Sequence, residues 1–301
     1  MRIGTRGSQL ALWQANHIAG ALRALGHTVE IEVIRTTGDR MQQASLDKAG
    51  QPLGKGIFTK EIEDALAERR VDLAVHSYKD LPTELDPRFT IAAVPEREDA
   101  RDAFVSVRYA SPAELPSGAR VGTGSLRRQS QLLALRRDIE CVDIRGNVDT
   151  RLRKLAEGEG DALILAVAGL DRIGRTENIR HSFGVGEMCP AAGQGALAIE
   201  CRADDADTRN VLAALEDSAA RFATDCERAA LAALGGGCMV PIGVHCRAED
   251  GTYVVNAVVA SPTGTRVVRS QRQGSDAQAL GNAVAADLLA QGAAEILNGG
   301  Q

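Results

Sequence analysis

The stretch Ala119–Arg137, ARVGTGSLRRQSQLLALRR, repeats in outline the opening of the chain, MRIGTRGSQLALWQ (Met1–Gln14). Each runs through a basic residue, an apolar residue, Gly-Thr, a further glycine and a serine, then enters an amphipathic segment. A short apolar strand, a tight glycine turn and a serine able to accept from the first free N–H groups of a helix make one strand–turn–helix unit. Its recurrence predicts two α/β units of similar design.

Working outward from the two copies, strand-like and helix-like segments alternate through about residue 200. SQLALWQANHIAGALRALG reads as a helix capped by Ser8 and ended by Gly26. TVEIEVIRT alternates as a strand does. TKEIEDALAERR is a second helix, with acids near its start and Arg69 and Arg70 at its end, matching the helix dipole. VDLAVHS is the next strand. In the second unit the strands are IECVDI and DALILAV, with a helix from about Asn147, and PAAGQGALAIECR reads as a strand returning to the first unit. After Ser218 the order changes. A helix, AARFATDCERAALAALGGG, leads into three strands joined by the hairpin-like EDGT and SPTGT, and a last helix spans about Ser275–Leu297. The pattern predicts three domains, two α/β and one small antiparallel α+β.

Composition bounds the function. The 301 residues are 44% hydrophobic with a net charge of −5, which gives no reason to expect nucleic acid or an anionic membrane as partner. No stretch approaches the ~20 apolar residues of a membrane span, and the charged N-terminus does not read as a signal peptide. Six cysteines, with no CxxC pair and no metal-ligand spacing, read as reduced thiols of a cytoplasmic protein, and no metal site is expected.

Chemistry is expected at the carboxyl ends of the strands, where open α/β sheets bind ligands. Gly4–Ser8 and Gly122–Ser125 both lead from strand to helix, and the free N–H groups of each helix start favour an anion by ~0.3–1 kcal/mol. Between Arg120 and Arg153 eight arginines face four acids. Arginine grips a carboxylate through two parallel hydrogen bonds, so the cluster suits a ligand with several carboxylates or phosphates. Arginine is 30 of the 35 basic residues, so part of this density is compositional. Arg127, Arg128 and Arg145, next to turns, are better placed than Arg136, Arg137 and Arg153, which read as solvated helix charges. At the end of VDLAVHSYKDLP, continued alternation would put His76, Tyr78 and Asp80 on one face, with Ser77 and Lys79 on the other. Asp80 among basic residues is expected to be ionised and able to stabilise a developing cation or pass a proton. Cys238, in the glycine loop LGGGCMVPIG, reads as a presented thiol and a covalent tether.

The segments GTRGSQLALWQ, GKGIFTKEIE, DLAVHSYKDLP, EREDARDAFVS, VGTGSLRRQ, RGNVDTRL, AVAGLDRIG, AAGQGALAIE and GGGCMVPIG occur in this order. By them the whole chain resembles the porphobilinogen deaminase, or hydroxymethylbilane synthase, family. The resemblance implies two periplasmic-binding-protein-like α/β domains, at 1–96 with 194–216 and at 97–193, and a third α+β domain at 217–301 with a three-stranded antiparallel sheet. It implies a monomeric transferase that condenses four porphobilinogen molecules into hydroxymethylbilane, with loss of ammonia, for tetrapyrrole synthesis. Growth would occur on a dipyrromethane cofactor bound through a thioether to Cys238. Asp80 would be catalytic. Ser77, Lys79, Thr123, Ser125, Arg127, Arg128 and Arg145 would hold the cofactor. Arg6, Ser8, Arg151 and Arg172 would hold substrate carboxylates, with Gln194, Lys55 and Phe58 as further cleft residues. Apart from the resemblance, the polar, Gln- and Gly-rich composition of residues 41–54 makes that loop a candidate lid. The chain departs from the family pattern at Gly124, where serine is common, and at Tyr78, where Met or Leu is usual. Rival readings are a reversible polycarboxylate-binding protein and a hydrolase with Cys238 as nucleophile.

Overall fold

A computed structural model describes residues 1–36, 59–236 and 240–299. The chain begins with β1 (Arg2–Thr5), α1 (Gln9–Ala24), β2 (Glu30–Val33), α2 (Lys60–Ala67), β3 (Leu73–Ser77) and β4 (Phe89–Ala93). It continues through β5 (Asp102–Val105), β6 (Arg120–Gly122), α3 (Leu126–Leu135), β7 (Glu140–Val142), α4 (Val148–Ala156), β8 (Ala162–Ala166), α5 (Val167–Arg172) and β9 (Ile179–Ser182). Next come β10 (Leu197–Arg202), α6 (Ala206–Leu212) and α7 (Ser218–Ala233). The chain closes with β11 (Ile242–Glu249), β12 (Thr252–Ala260), β13 (Val267–Gly274), α8 (Ala277–Ala290) and α9 (Ala293–Leu297). Two compact units result, Met1–Arg97 with Ala196–Arg221, and Glu98–Gly195 with Phe222–Gln301.

The first unit holds a five-stranded sheet in the order β2-β1-β3-β10-β4, with β1 parallel to β2 and β3, and β10 antiparallel to both of its neighbours. A second five-stranded sheet, β7-β6-β8-β5-β9, has the same sequence of directions: β6 is parallel to β7 and β8, and β5 is antiparallel to β8 and β9. The repeated segments therefore occupy equivalent places, β1–α1 in one sheet and β6–α3 in the other. PAAGQGALAIECR returns to the first sheet as β10, as its sequence suggested.

Strict alternation builds a core on each face. In β3, Leu73 and Val75 join Ile3, Ile199 and the α1 residues Ala15, Ile18 and Leu22, while Ala74 turns to Ile62 and Leu66 of α2. In the second sheet Phe104 and Ile164 face Leu132 of α3, whereas Val105, Leu163 and Leu165 face Leu155 of α4 and Leu170 of α5. Each fully buried Leu, Ile, Val or Phe among them contributes about 1.5–3 kcal/mol, and a one-residue slip would turn every strand residue to the opposite face.

The antiparallel sheet β11-β12-β13 lies in the second unit and packs Val244, Cys246, Val255 and Ala257 against α7, α8 and α9. The expected single last helix is broken at Gly292, whose φ of 90° is in the left-handed region. This sheet is tied to the rest of its unit by polar contacts. The buried Glu227 carboxylate accepts from Gly193 N and Cys246 N, both at 2.7 Å, and Val244 N donates to Pro190 O at 2.9 Å. A Cβ at Gly264 (φ 69°), in the β12–β13 turn, would collide with the backbone nitrogen of Ala134 at the end of α3.

Replacing Glu227 by Gln turns one acceptor into a donor facing a backbone N–H, and a buried donor left unmatched costs about 1–3 kcal/mol. Urea denaturation is expected to show that loss, while Arg247→Ala, on the surface, shifts the midpoint little. An unchanged Glu227→Gln midpoint would show that the tie carries no stability.

Candidate active site on the strand-end rims

In the first unit β1 and β3 run parallel in register (Ile3 beside Leu73, Gly4 beside Ala74), so their carboxyl ends deliver Arg6 and Ser77 to one edge. Ser8 caps α1, its Oγ accepting from Ala11 N at 3.3 Å. Gln14 of α1, buried, donates from Nε2 to Ser77 Oγ at 2.8 Å.

Alternation stops at Ser77. Residues Tyr78–Asp80 form a 3-10 turn, in which side chains three apart eclipse. Tyr78 and Leu81 accordingly share one side and are buried with Val94, Ala196 and Ala198, while Tyr78 N donates to Ala196 O at 3.1 Å. That anchoring leaves Lys79 half-buried and Asp80 exposed. Tyr78 and Asp80, which continued alternation would put on one face, therefore point apart, because positions two apart in a turn of three residues per revolution lie on different sides. His76 is not part of the exposed tip either. It is buried, with Nε2 2.9 Å from Glu200 Oε2 on the neighbouring strand. Burial, and then the charge of this Glu200, raise the pKa of Glu63 on α2.

The second unit's rim is made by the β6–α3 and β7–α4 turns. Thr123 is buried; its N donates to Val142 O at 2.9 Å, and its Oγ1 accepts from Ser125 N at 3.3 Å. Ser125 precedes α3 in extended backbone but makes no side-chain cap, unlike Ser8. The two turns touch, for a Cβ on Gly124 would lie 3.1 Å from Asp143 Oδ1. Arg145, with 58% of its side chain exposed, donates from Nε to Asp143 Oδ2 at 2.6 Å. Such an exposed pair is worth ~0–1 kcal/mol, so a ligand carboxylate can compete for it. Arg151 Nε donates to Gly146 O at 2.7 Å and braces that turn.

Arg127 and Arg128 are placed differently from Arg145. They are 5% and 6% exposed, and both close on Asp102, which is fully buried. Arg127 Nη1 donates to Asp102 Oδ2 at 2.6 Å and to Cys189 O at 2.8 Å; Arg128 Nε donates to Asp102 Oδ1 at 2.8 Å, and its Nη1 to Ile164 O at 3.0 Å. Gln194, also buried, donates from Nε2 to Asp102 Oδ1 at 3.0 Å and to Ala100 O at 2.7 Å. Burial would raise the Asp102 pKa, but the two guanidinium groups outweigh it and hold the carboxyl well below its usual range. Arg172 is buried, donating from Nη2 to Gly195 O at 2.6 Å, and burial draws its pKa down. Asp102 and Glu200 escaped the sequence reading. The only local signal for Asp102 was an acid opening an apolar strand in EREDARDAFVS. Lys55, Phe58, the 41–54 segment and Cys238 lie outside the described residues.

In each unit the strand ends gather guanidinium, hydroxyl and helix N-terminal groups at one edge of the sheet, groups of the kind that suit anionic ligands. A family model described as porphobilinogen deaminase, dipyromethane cofactor binding domain, matches residues 1–210, and that of the porphobilinogen deaminase C-terminal domain matches 222–290. The chain belongs to the porphobilinogen deaminase family. Curated relatives of that name include those of Syntrophobacter fumaroxidans (50% identical, 99% of this chain and 96% of that one) and Nitratidesulfovibrio vulgaris (49%, covering 98% and 95%). Another, from Acidithiobacillus ferrooxidans, is 49% identical over 99% of this chain and 97% of its own. Among solved structures, a putative methionine-binding lipoprotein from Bacillus subtilis is similar at a TM-score of 0.44 and 14% identity, over 71% of this chain and 89% of that one. The donor set on the rims fits the family's cofactor, since a dipyrromethane carries acetate and propionate arms that guanidinium and hydroxyl groups can hold.

Among the described residues no group of His, Cys, Asp and Glu is arranged to hold a metal, and no helix is long and apolar enough to cross a membrane. The described cysteines are free thiols. Burial pushes Cys189 up to about 12 and Cys201 and Cys141 up to about 11. At pH 8 a thiol reagent is expected to leave Cys189 and Cys201 unmodified in the native protein and to label both in urea, as read by peptide mass. Labelling of either without denaturant would contradict their burial.

Proposed function

We propose that this chain condenses four porphobilinogen molecules head to tail into hydroxymethylbilane, releasing ammonia at each addition. The observation that carries the reading is the 3-10 turn after β3, which buries Tyr78 and Leu81 and thereby holds Asp80 out at the strand-end rim. When bound, the dipyrromethane supplies the free pyrrole carbon to which the first new unit is joined, and Cys238 is its point of attachment.

The chain's own residues have the following roles. Asp80 accepts hydrogen bonds from pyrrole N–H groups and so opposes the positive charge that develops as the aminomethyl nitrogen of porphobilinogen leaves. A carboxylate suits this work because a fixed acceptor beside a developing cation needs no reorganisation. Lys79, Ser77, Thr123, Ser125, Arg127, Arg128 and Arg145 orient the cofactor's carboxylates, and Arg6, Ser8, Arg151 and Arg172 those of incoming units, with Gln194, Lys55 and Phe58 beside them. The three sheets support a division into domains at 1–96 with 194–216, 97–193 and 217–301. The enzyme acts in the cytoplasm as a monomer without nucleic acid, in keeping with its thiols and its net charge of −5.

Intact mass of the denatured protein tests the reading. The wild type is expected to exceed its sequence mass by two linked pyrrole units, Cys238→Ser to lack the increment, and porphobilinogen to add further whole units. A wild type of bare sequence mass, unchanged by porphobilinogen, would favour a reversible binder of polycarboxylates instead. Asp80→Asn is expected to lower kcat by about 10²–10³ with an unchanged melting temperature, because the side chain is exposed. Retention of more than about a tenth of kcat would remove Asp80 from that role.

A further inference from the structure

Asp102 touches no solvent, yet it is where the second unit's rim is set. Arg127 and Arg128 are consecutive residues in the first turn of α3, and consecutive helical side chains point about 100° apart. They nonetheless converge on one carboxylate: Arg127 grips both oxygens, Oδ2 from Nη1 at 2.6 Å and Oδ1 from Nη2 at 3.3 Å, and Arg128 donates from Nε to Oδ1 at 2.8 Å. Each guanidinium plane has a second, independent anchor on the main chain, Cys189 O for Arg127 and Ile164 O for Arg128. Gln194 locks the carboxylate from a third direction, donating to Asp102 Oδ1 while its Oε1 faces Nη2 of both arginines at 3.5 Å. Two acceptors at an angle fix a planar fork in both position and tilt, which a single ion pair does not do.

We infer that Asp102 is a positioning residue for ligand binding, acting through Arg127 and Arg128 to set the guanidinium planes and the first turn of α3 against the ligand's carboxylates. The inference rests on the reading that these two arginines serve the cofactor and substrate. It differs from charge neutralisation, which any carboxylate in the same place would supply. A misplacement of about 1 Å in a binding group can cost as much as 10²-fold, so the carboxylate's position, and not only its charge, should be read in binding.

Two variants separate the possibilities. Asp102→Asn keeps the shape and removes the charge, whereas Asp102→Glu keeps the charge and moves it by one methylene. Each is purified as the full chain and measured by intact mass, thermal melting and steady-state kinetics with porphobilinogen. Both are expected to carry the two-pyrrole increment in a smaller fraction of molecules than the wild type. In Asp102→Glu, KM is expected to rise about tenfold with a smaller change in kcat, the signature of lost binding rather than lost chemistry. If Asp102→Asn is recovered only as insoluble chain, Asp102→Glu decides alone. Wild-type loading with KM within about twofold in Asp102→Glu would overturn the inference and leave Asp102 a neutralising group. Arg127→Gln and Arg128→Gln distinguish the two levels. Loss of loading in these with normal loading in the Asp102 variants sinks the positioning role alone. Normal loading in the arginine variants sinks the reading of the arginines and this inference with it.

Discussion

Two guanidinium groups cannot be taken out of water without a partner, since each desolvated ion costs several kcal/mol. In the second unit a single carboxylate meets that requirement, and the elements around it are organised accordingly. Asp102 opens β5, its partners stand in α3, and their second acceptors come from β8 and from the segment that precedes the return to the first sheet. Asp102 therefore remains ionised at ordinary pH. Because its pKa is depressed in the folded protein, its contribution to stability is complete above the unfolded carboxyl value of ~3.9 and is lost as pH falls through its own lower value. The cluster costs more to break than it contributes when intact, because removing one partner strands the others.

The first unit solves a similar problem by apolar means. Asp80 and Lys79 are presented outward because Tyr78 and Leu81 are held inward, three residues apart in a turn whose geometry puts them on one side. Tyrosine at position 78 suits this anchor, a large ring in an apolar cluster. Just behind the turn His76 pairs in register with Ala198, and its Nε2 reaches Glu200, two residues further along β10.

Much of this was legible in the residues themselves. The duplicated Gly-Thr turn marked two α/β units of similar design, and VDLAVHS, DALILAV and PAAGQGALAIECR read as the strands that are now β3, β8 and β10. The Ser8 cap and the hairpin turns of the third sheet followed from local chemistry. Partners far along the chain were not legible. Asp102 lies 25 residues from Arg127, and Glu200 lies 124 from His76. In sequence an arginine beside a glycine turn looks the same whether it faces solvent or a buried carboxylate. For the same reason the inward hold on Tyr78 was not legible: Ala196 and Ala198, against which it packs, arrive more than a hundred positions later.

The place of β10 has a consequence for synthesis. In the first sheet, among the described residues, β4 pairs with β10 alone, and β3 has β10 on one side. Until residue 202 has left the ribosome, the apolar segment LAVHS and the whole of β4 have unpaired backbone edges, although every other strand of that sheet has long been made. Such pairing at long sequence separation is slow, and an open apolar edge is prone to associate with other chains. The nascent protein thus passes through a stage, some hundred residues long, in which its first sheet waits for its last strand.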